Sequence, residues 1–119
     1  MKEAAAEILT KAKAQGVMIA TAESCTGGMV AAALTDIAGS SAIFDRGFVT
    51  YTNAAKMQML GVTNASLDAY GAVSEQVAIE MALGAIAHSA AQIAVSITGI
   101  AGPGGSDHKP EGRVCFGLA

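Results

Sequence analysis

Residues 17–28 read Val-Met-Ile-Ala-Thr-Ala-Glu-Ser-Cys-Thr-Gly-Gly, and this stretch decides the fold. Val17 to Ala22 form a short apolar run of the length that buried strands have in α/β proteins. A polar turn around Ser24 follows, closed by two glycines, and the next residues show apolar side chains at helical spacing. The stretch therefore predicts a strand, an exposed turn that carries a serine hydroxyl, and a helix.

Helices and strands are predicted to alternate along the rest of the chain. The helices are predicted over residues 3–15, 26–37, 53–60 and 74–90, with a helical turn over 64–70, and the further strands over 47–51, 92–98 and 112–119. Asn53 is predicted to cap its helix. This alternation predicts a three-layer α/β/α sandwich with a mostly parallel or mixed sheet, formed as a single domain by residues 1–119. Because the strand pattern stops at Ala119, we expect either an edge strand or a chain that lacks its C-terminal tail.

The composition argues against several classes of function. A formal charge of −3 and scattered basic residues disfavour binding to a nucleic-acid backbone. No apolar segment reaches the roughly 18 residues needed to cross a bilayer, and the start of the chain lacks the pattern of a secretion signal. The two cysteines are far apart in the sequence, so we expect no disulfide framework and a cytoplasmic protein. No cluster of metal-binding residues is visible in the sequence, and we expect no metal, no cofactor and no nucleic-acid or membrane partner. Alanine-rich helix surfaces are compatible with a homo-oligomer.

Three side chains suggest a metal-free hydrolase. Ser24 is the candidate nucleophile, and it needs a base because a serine hydroxyl is unreactive at its ordinary pKa. Lys56 is the alternative base, since burial and the positive end of its helix would both lower its pKa, although its spacing alone fits a solvated helix lysine better. His88 and His108 are less favoured as bases. Tyr51 could relay a proton between the lysine and the serine or donate one to the leaving group, or it could be an ordinary tyrosine at a strand end.

Eight residues are predicted to bind the substrate because they offer backbone N–H groups or polar side chains around these three. They are Glu23, Thr26, Gly27, Gly28, Asn53, Thr98, Gly99 and Gly102. The turn after Ser24 would present its N–H groups to an oxyanion or a phosphate at the start of a helix, unless it serves only as a cap. The glycine-rich loop after residues 92–98 is the other anion candidate. Glu23 would orient Lys56 or bind ribose hydroxyls, and Cys25 is expected to be a small buried thiol, not a nucleophile.

Four motifs together carry a resemblance to a known family. They are Thr-Ala-Glu-Ser-Cys-Thr-Gly-Gly at 21–28, Gly-Phe-Val-Thr-Tyr-Thr-Asn-x-x-Lys at 47–56, Gly-Ala-Val-Ser-Glu at 71–75 and Ser-Ile-Thr-Gly-Ile-Ala-Gly-Pro-Gly-Gly at 96–105. Along nearly its whole length the chain resembles the C-terminal domain of CinA, the competence/damage-inducible protein family. Family domains run past the position of Ala119, and many members carry an N-terminal molybdopterin-binding-like domain, whose activity is not expected here.

The resemblance implies a reaction and roles for two of the residues. The reaction is hydrolysis of the carboxamide of nicotinamide mononucleotide, which gives nicotinate mononucleotide and ammonia in pyridine-nucleotide salvage. The partner would then be a small-molecule nucleotide, Lys56 the catalytic lysine and Tyr51 an aid to proton transfer. Two alternatives stay open: a catalytically silent nucleotide-binding or regulatory module, and another small-amide or ester hydrolase on the same scaffold.

Overall fold

Five α-helices and four strands alternate along the part of the chain that the computed structural model describes, residues 2–100 and 112–119. The helices are α1 (Lys2–Gln15), α2 (Met29–Thr35), α3 (Asn53–Leu60), α4 (Asn64–Tyr70) and α5 (Glu75–Ala87). The strands are β1 (Ile19–Glu23), β2 (Phe44–Val49), β3 (Ile93–Gly99) and β4 (Val114–Leu118), and a short 3₁₀ turn, Ser40–Ala42, precedes β2. The predicted alternation of helices and strands is confirmed.

The four strands form one mixed sheet in the order β2-β1-β3-β4. Strand β1 is parallel to both of its neighbours, whereas β4 is antiparallel to β3 and lies at one edge. After β1 the chain passes through α2 to β2 on one side, and then through α3, α4 and α5 to β3 on the other side. The direction of winding therefore reverses at the carboxyl end of β1, where open α/β sheets commonly bind ligands.

Two apolar cores, one on each face of the sheet, confirm the three-layer α/β/α arrangement. Successive side chains of a strand point to opposite faces, so Ile19 packs with α1 and α2, whereas Ala20 and Ala22 pack with α3, α4 and α5. Alanines fill much of the central strand, and their small side chains allow the helices to lie close to the sheet. No helix within the described ranges is both long enough and apolar enough to cross a membrane.

Several element boundaries differ from the sequence prediction for local reasons. Helix α2 begins at Met29 and not near Thr26, because the preceding residues form a turn. Strand β2 begins at Phe44, three residues before the predicted start. Asp45 and Arg46 lie inside β2, and this polar pair is accommodated because β2 is an edge strand. The N-cap of α3 is Thr52 and not Asn53, since the Thr52 side chain accepts a hydrogen bond from the Ala55 N–H. Helix α5 ends at Ala87, three residues before the predicted end.

Helix α5 approaches the end of α3 so closely that position 84 has no room for a side chain. A Cβ atom on Gly84 would lie 2.0 Å from the Leu60 carbonyl oxygen, a backbone atom that cannot rotate away. We expect Gly84→Ala to lower the free energy of unfolding by about 2 kcal/mol, because overpacking outweighs the roughly 1 kcal/mol that alanine gains in helix propensity. Urea denaturation measures this change, with Leu83→Ala, which removes a half-exposed side chain of the same helix, as the control. A Gly84→Ala protein as stable as the parent would contradict this packing.

Candidate active site

Ser24 lies one residue beyond β1, between the carboxyl ends of two parallel neighbours. Its N–H donates to the Ile97 carbonyl at 2.9 Å, and the Glu23 carbonyl accepts from the Thr50 N–H at 2.8 Å, so the turn is tied to both β3 and β2. Side chains alternate between the two faces of a strand, and Ser24 is two residues beyond Ala22. Its side chain therefore points to the same face as those of Ala20 and Ala22, the face covered by α3. Only 7% of the residue is exposed.

The structure brings the side chains of Lys56 and Ser24 together. Lys56 stands in the first half of α3 and is 1% exposed. Its Nζ atom lies 3.0 Å from Ser24 Oγ, 2.9 Å from the Thr50 carbonyl oxygen and 3.2 Å from the Tyr51 carbonyl oxygen. Three oxygen atoms therefore surround the amine, and one of them is the hydroxyl of the candidate nucleophile.

This geometry suits a neutral lysine that acts as a base. A neutral amine has two N–H bonds and one lone pair, so it can donate to the Thr50 and Tyr51 carbonyls and accept the hydroxyl proton of Ser24. Burial lowers the pKa of Lys56, and its electrostatic interaction with the neighbouring Cys25 opposes that shift. The lysine thus has both the position and the direction of pKa change that a general base needs.

The turn after Ser24 has two backbone N–H groups that find no acceptor among the described residues. The Gly27 N–H donates to the Ser24 carbonyl at 3.0 Å, and the Gly28 N–H donates to Glu23 Oε1 at 3.2 Å. Neither the Cys25 N–H nor the Thr26 N–H has an acceptor among residues 2–100 and 112–119. Of the three predicted donors only the Thr26 amide remains available, and the Cys25 amide is one that sequence reasoning missed, although it directly follows the candidate nucleophile.

Positive φ angles explain the two glycines of this turn. Gly27 has φ +59° and Gly28 has φ +110°, in the left-handed half of conformational space that side chains disfavour. The chain can therefore reverse direction between β1 and α2 within a few residues. The glycines serve the path of the backbone, and their own N–H groups are occupied.

Glu23 is fully buried, and its carboxylate is filled by protein donors. Oε1 accepts from the Thr26 hydroxyl at 2.6 Å and from the N–H groups of Gly28 and Val30, while Oε2 accepts from the Ala31 N–H at 2.9 Å. These contacts give no support to the prediction that Glu23 orients Lys56 or binds ribose. They also place an anion of the protein itself at the start of α2, where the sequence suggested a phosphate.

The side chain of Tyr51 lies outside the pair. The residue is 66% exposed, and its carbonyl, not its phenol, contacts Lys56. Since Lys56 and Ser24 are in direct contact, no relay between them is required, and a role for the phenol at the leaving group stays a prediction. Asn53 is exposed at the first position of α3, and its contact with the substrate stays a prediction.

The end of β3 lines the other side of the turn. Thr98 is buried and its hydroxyl donates to the Ala72 carbonyl at 2.8 Å, so this side chain is occupied within the protein. A Cβ atom on Gly99 would lie 2.9 Å from Cys25 Sγ, and only glycine permits this close contact with the turn. Gly102 lies outside the described residues, and so does His108.

Two carbonyl groups that hold Lys56, those of Thr50 and Tyr51, were not predicted. Their position in the sequence could have indicated them, because they directly follow a parallel strand. At that point backbone carbonyls no longer pair with the neighbouring strand and can accept hydrogen bonds from other groups. His88 is exposed, and its Nδ1 lies 2.8 Å from the Gly84 carbonyl oxygen at the end of α5, which agrees with a surface histidine. Within the described ranges no cluster of His, Cys, Asp and Glu is placed to hold a metal ion.

A separate apolar groove of about 420 Å³ lies on the opposite face of the sheet. It is lined by residues of α1, α2 and three strands, among them Ile8, Leu34, Val95 and Leu118. Neither Ser24 nor Lys56 borders it. The candidate site at the carboxyl end of β1 is therefore separate from this groove.

Comparisons with known proteins point to one family. The model of the CinA C-terminal domain matches residues 1–119. A protein from Enterobacter agglomerans named nicotinamide-nucleotide amidohydrolase PncC is 59% identical over 120 residues, which cover 100% of this chain and 73% of that protein. A protein of the same name from Escherichia coli (strain K12) is 61% identical over 108 residues, 90% of this chain and 66% of that protein.

A solved structure agrees with the fold described above. The competence/damage inducible protein CihA from Agrobacterium tumefaciens matches with a TM-score of 0.95 and 57% sequence identity. The match covers 98% of this chain and 72% of that one. The chain thus spans about two thirds to three quarters of the length of these relatives.

Proposed function

Since this chain belongs to the CinA C-terminal domain family, we propose that it hydrolyses the carboxamide of nicotinamide mononucleotide to give nicotinate mononucleotide and ammonia. The names of relatives at 59% and 61% identity support this substrate. The observation that carries the chemistry is the 3.0 Å contact between Lys56 Nζ and Ser24 Oγ in a buried setting. Simple nucleotide binding requires neither a paired nucleophile nor a desolvated base.

In the first half of the proposed reaction, Ser24 Oγ attacks the carboxamide carbon while Lys56 takes the hydroxyl proton. The carbonyl oxygen becomes an oxyanion that the free N–H groups of Cys25 and Thr26 stabilise, as in an oxyanion hole. The C–N bond then breaks as the leaving nitrogen receives a proton, and ammonia departs. That proton comes from the lysine ammonium directly, or from the Tyr51 phenol, which then regains a proton from the ammonium, so Lys56 is neutral in either case. An ester between Ser24 and the nicotinoyl group remains.

In the second half, water replaces ammonia. Lys56, neutral again, takes a proton from water, whose oxygen attacks the ester carbon, and the same two N–H groups stabilise the second oxyanion. The C–O bond to Ser24 breaks, the serine recovers its proton, and nicotinate mononucleotide is released. No step of this scheme needs a metal ion. The nucleotide is proposed to contact the exposed Asn53, the Gly99 backbone and Gly102. The cytoplasmic location and the homo-oligomer remain predictions.

The test is incubation of the purified protein with nicotinamide mononucleotide in the presence of EDTA. We expect ammonia and nicotinate mononucleotide to appear in equal amounts, because the scheme uses only side chains and water. Excess nicotinamide riboside serves as the control substrate, since it carries the same amide and lacks the phosphate. If the protein bound the nucleotide without hydrolysing it, and a chain extended to the full length of its relatives did the same, the binding-module alternative would be favoured instead.

A further inference from the structure

Among the described residues of the site, Glu23 and Lys56 are buried and ionisable, and the proposed reaction uses only Lys56. Glu23 is 0% exposed and immediately precedes the nucleophile. Its carboxylate accepts hydrogen bonds from the Thr26 hydroxyl and from three backbone N–H groups of the turn and α2. A buried carboxylate with so many donors has its hydrogen-bonding capacity satisfied without a basic partner.

Strand alternation separates the two groups. Glu23 and Ser24 are consecutive, so their side chains leave the backbone on opposite faces of the sheet. The Glu23 carboxylate meets the N–H groups of Val30 and Ala31 in α2, whereas Ser24 meets Lys56 of α3. No carboxylate within the described ranges forms an ion pair with Lys56. The Glu23 carboxylate is thus matched by donors of the turn and α2, and Lys56 has no carboxylate partner among the described residues.

We propose that Glu23 is a positioning residue for this reaction, which anchors the turn of Ser24, Cys25 and Thr26 to α2 and acts on catalysis through that turn, not through Lys56. The inference rests on the proposed function. The anchor acts at both ends of the turn, because Glu23 precedes Ser24 in the chain and its side chain returns to bind Thr26 and Gly28. The nucleophile and the two free N–H groups therefore lie within a segment that one carboxylate holds in place.

The same contacts determine where the phosphate of the substrate does not bind. The start of α2 already holds a carboxylate, and a second anion there would meet repulsion and few free N–H groups. The N–H groups of Cys25 and Thr26, which have no acceptor in residues 2–100 and 112–119, remain for the oxyanion that forms during the reaction. The phosphate must then be held by other parts of the site.

The experiment compares Glu23→Gln with Glu80→Gln. Glu80 is a matched control because its carboxylate also binds the start of a helix, accepting from the Thr63 N–H at 3.0 Å and from the Ser66 hydroxyl, without contact to the turn. In Glu23→Gln the amide nitrogen, a donor, takes the place of one acceptor oxygen and faces the N–H group of Val30 or of Ala31, so the turn loosens. We expect kcat to fall about tenfold to a hundredfold with KM within about threefold, since small displacements of reacting groups have such effects. Glu80→Gln should keep the parent kcat below its unfolding temperature.

Two further readouts separate positioning from other roles. The acid limb of the pH profile of kcat should move by less than about half a pH unit in Glu23→Gln, because the carboxylate does not face Lys56. The rate at which a fluorophosphonate labels Ser24, with Ser24→Ala as the blank, should fall by the same factor as kcat. This labelling does not depend on the substrate, so it tests the positioning of Ser24 even if nicotinamide mononucleotide is not hydrolysed.

The outcomes are distinct. Parent-like kcat and labelling in folded Glu23→Gln would overturn the proposal. It would also be overturned if the acid limb of the pH profile moved by a full pH unit, or if the probe did not label Ser24 of the parent protein. A fall in labelling without hydrolysis of the nucleotide by the parent would leave Glu23 as a positioning residue and refute only the substrate. An equal loss of kcat in Glu80→Gln would mean that general loosening of the fold explains the effect, which also overturns the proposal.

Discussion

Ser24→Ala is expected to lower kcat/KM for nicotinamide mononucleotide at least about a thousandfold, the size of effect that follows loss of a nucleophile. Without the Oγ atom no ester can form, and only the two open N–H groups and substrate binding remain to assist attack by water. The dissociation constant of the nucleotide should stay near that of the parent, because the substitution removes one atom from a site that is otherwise unchanged. Release of ammonia and equilibrium binding are the two measurements.

Ser96→Ala is the matched control for this prediction. Ser96 is a fully buried serine on the neighbouring strand β3, and its hydroxyl donates to the Ala78 carbonyl of α5 at 2.5 Å. Its loss should lower the free energy of unfolding by about 1–3 kcal/mol and leave kcat near the parent value. If Ser24→Ala instead kept more than about a tenth of the parent activity, Ser24 could not be the nucleophile, and the half-buried Cys25 thiol would take its place as the candidate.

The sequence predicted the neighbourhood of Ser24 and Lys56 through the order of elements. Each residue follows a predicted strand, and consecutive parallel strands joined by one short helix are usually adjacent in the sheet. Adjacent parallel strands have their carboxyl ends at the same edge, which brings the turn after β1 near the start of α3. The 3.0 Å contact itself depends on the path between Thr50 and Lys56, which no spacing rule supplies.

The role of Glu23 was beyond the reach of the sequence for a related reason. Period-two alternation shows that Glu23 and Ser24 point to opposite faces, but it does not show which face carries α2. The carboxylate became a structural group because α2 packs on its side and brings the N–H groups of Val30 and Ala31 to it. Strand β2 was likewise predicted too short, because a polar pair can lie at an edge strand as well as in a turn.

Replacing Lys56 by methionine is expected to abolish turnover and to change how stability depends on pH. The variant keeps a similar volume but has no base, so kcat/KM should fall at least about a thousandfold. In the parent, burial lowers the pKa of Lys56 below the 10.5 of a free lysine. Between the lowered pKa and 10.5 the unfolded chain binds more protons at this position than the folded one, so the free energy of unfolding of the parent rises with pH across that window.

The stability difference between Lys56→Met and the parent should therefore move in favour of the parent as the pH rises through this window. The change amounts to about 1.4 kcal/mol for each unit by which the pKa is lowered, and the hydrogen bonds lost from Thr50 and Tyr51 add only an offset that does not vary with pH. Denaturant unfolding at a series of pH values measures it. Lys11→Met is the control, because Lys11 is an exposed lysine paired with Glu7 on the surface of α1 and should give a flat difference. A flat difference for Lys56→Met as well would mean that the folded protein holds an ordinary charged lysine, and Lys56 could not serve as the base for Ser24 near neutral pH.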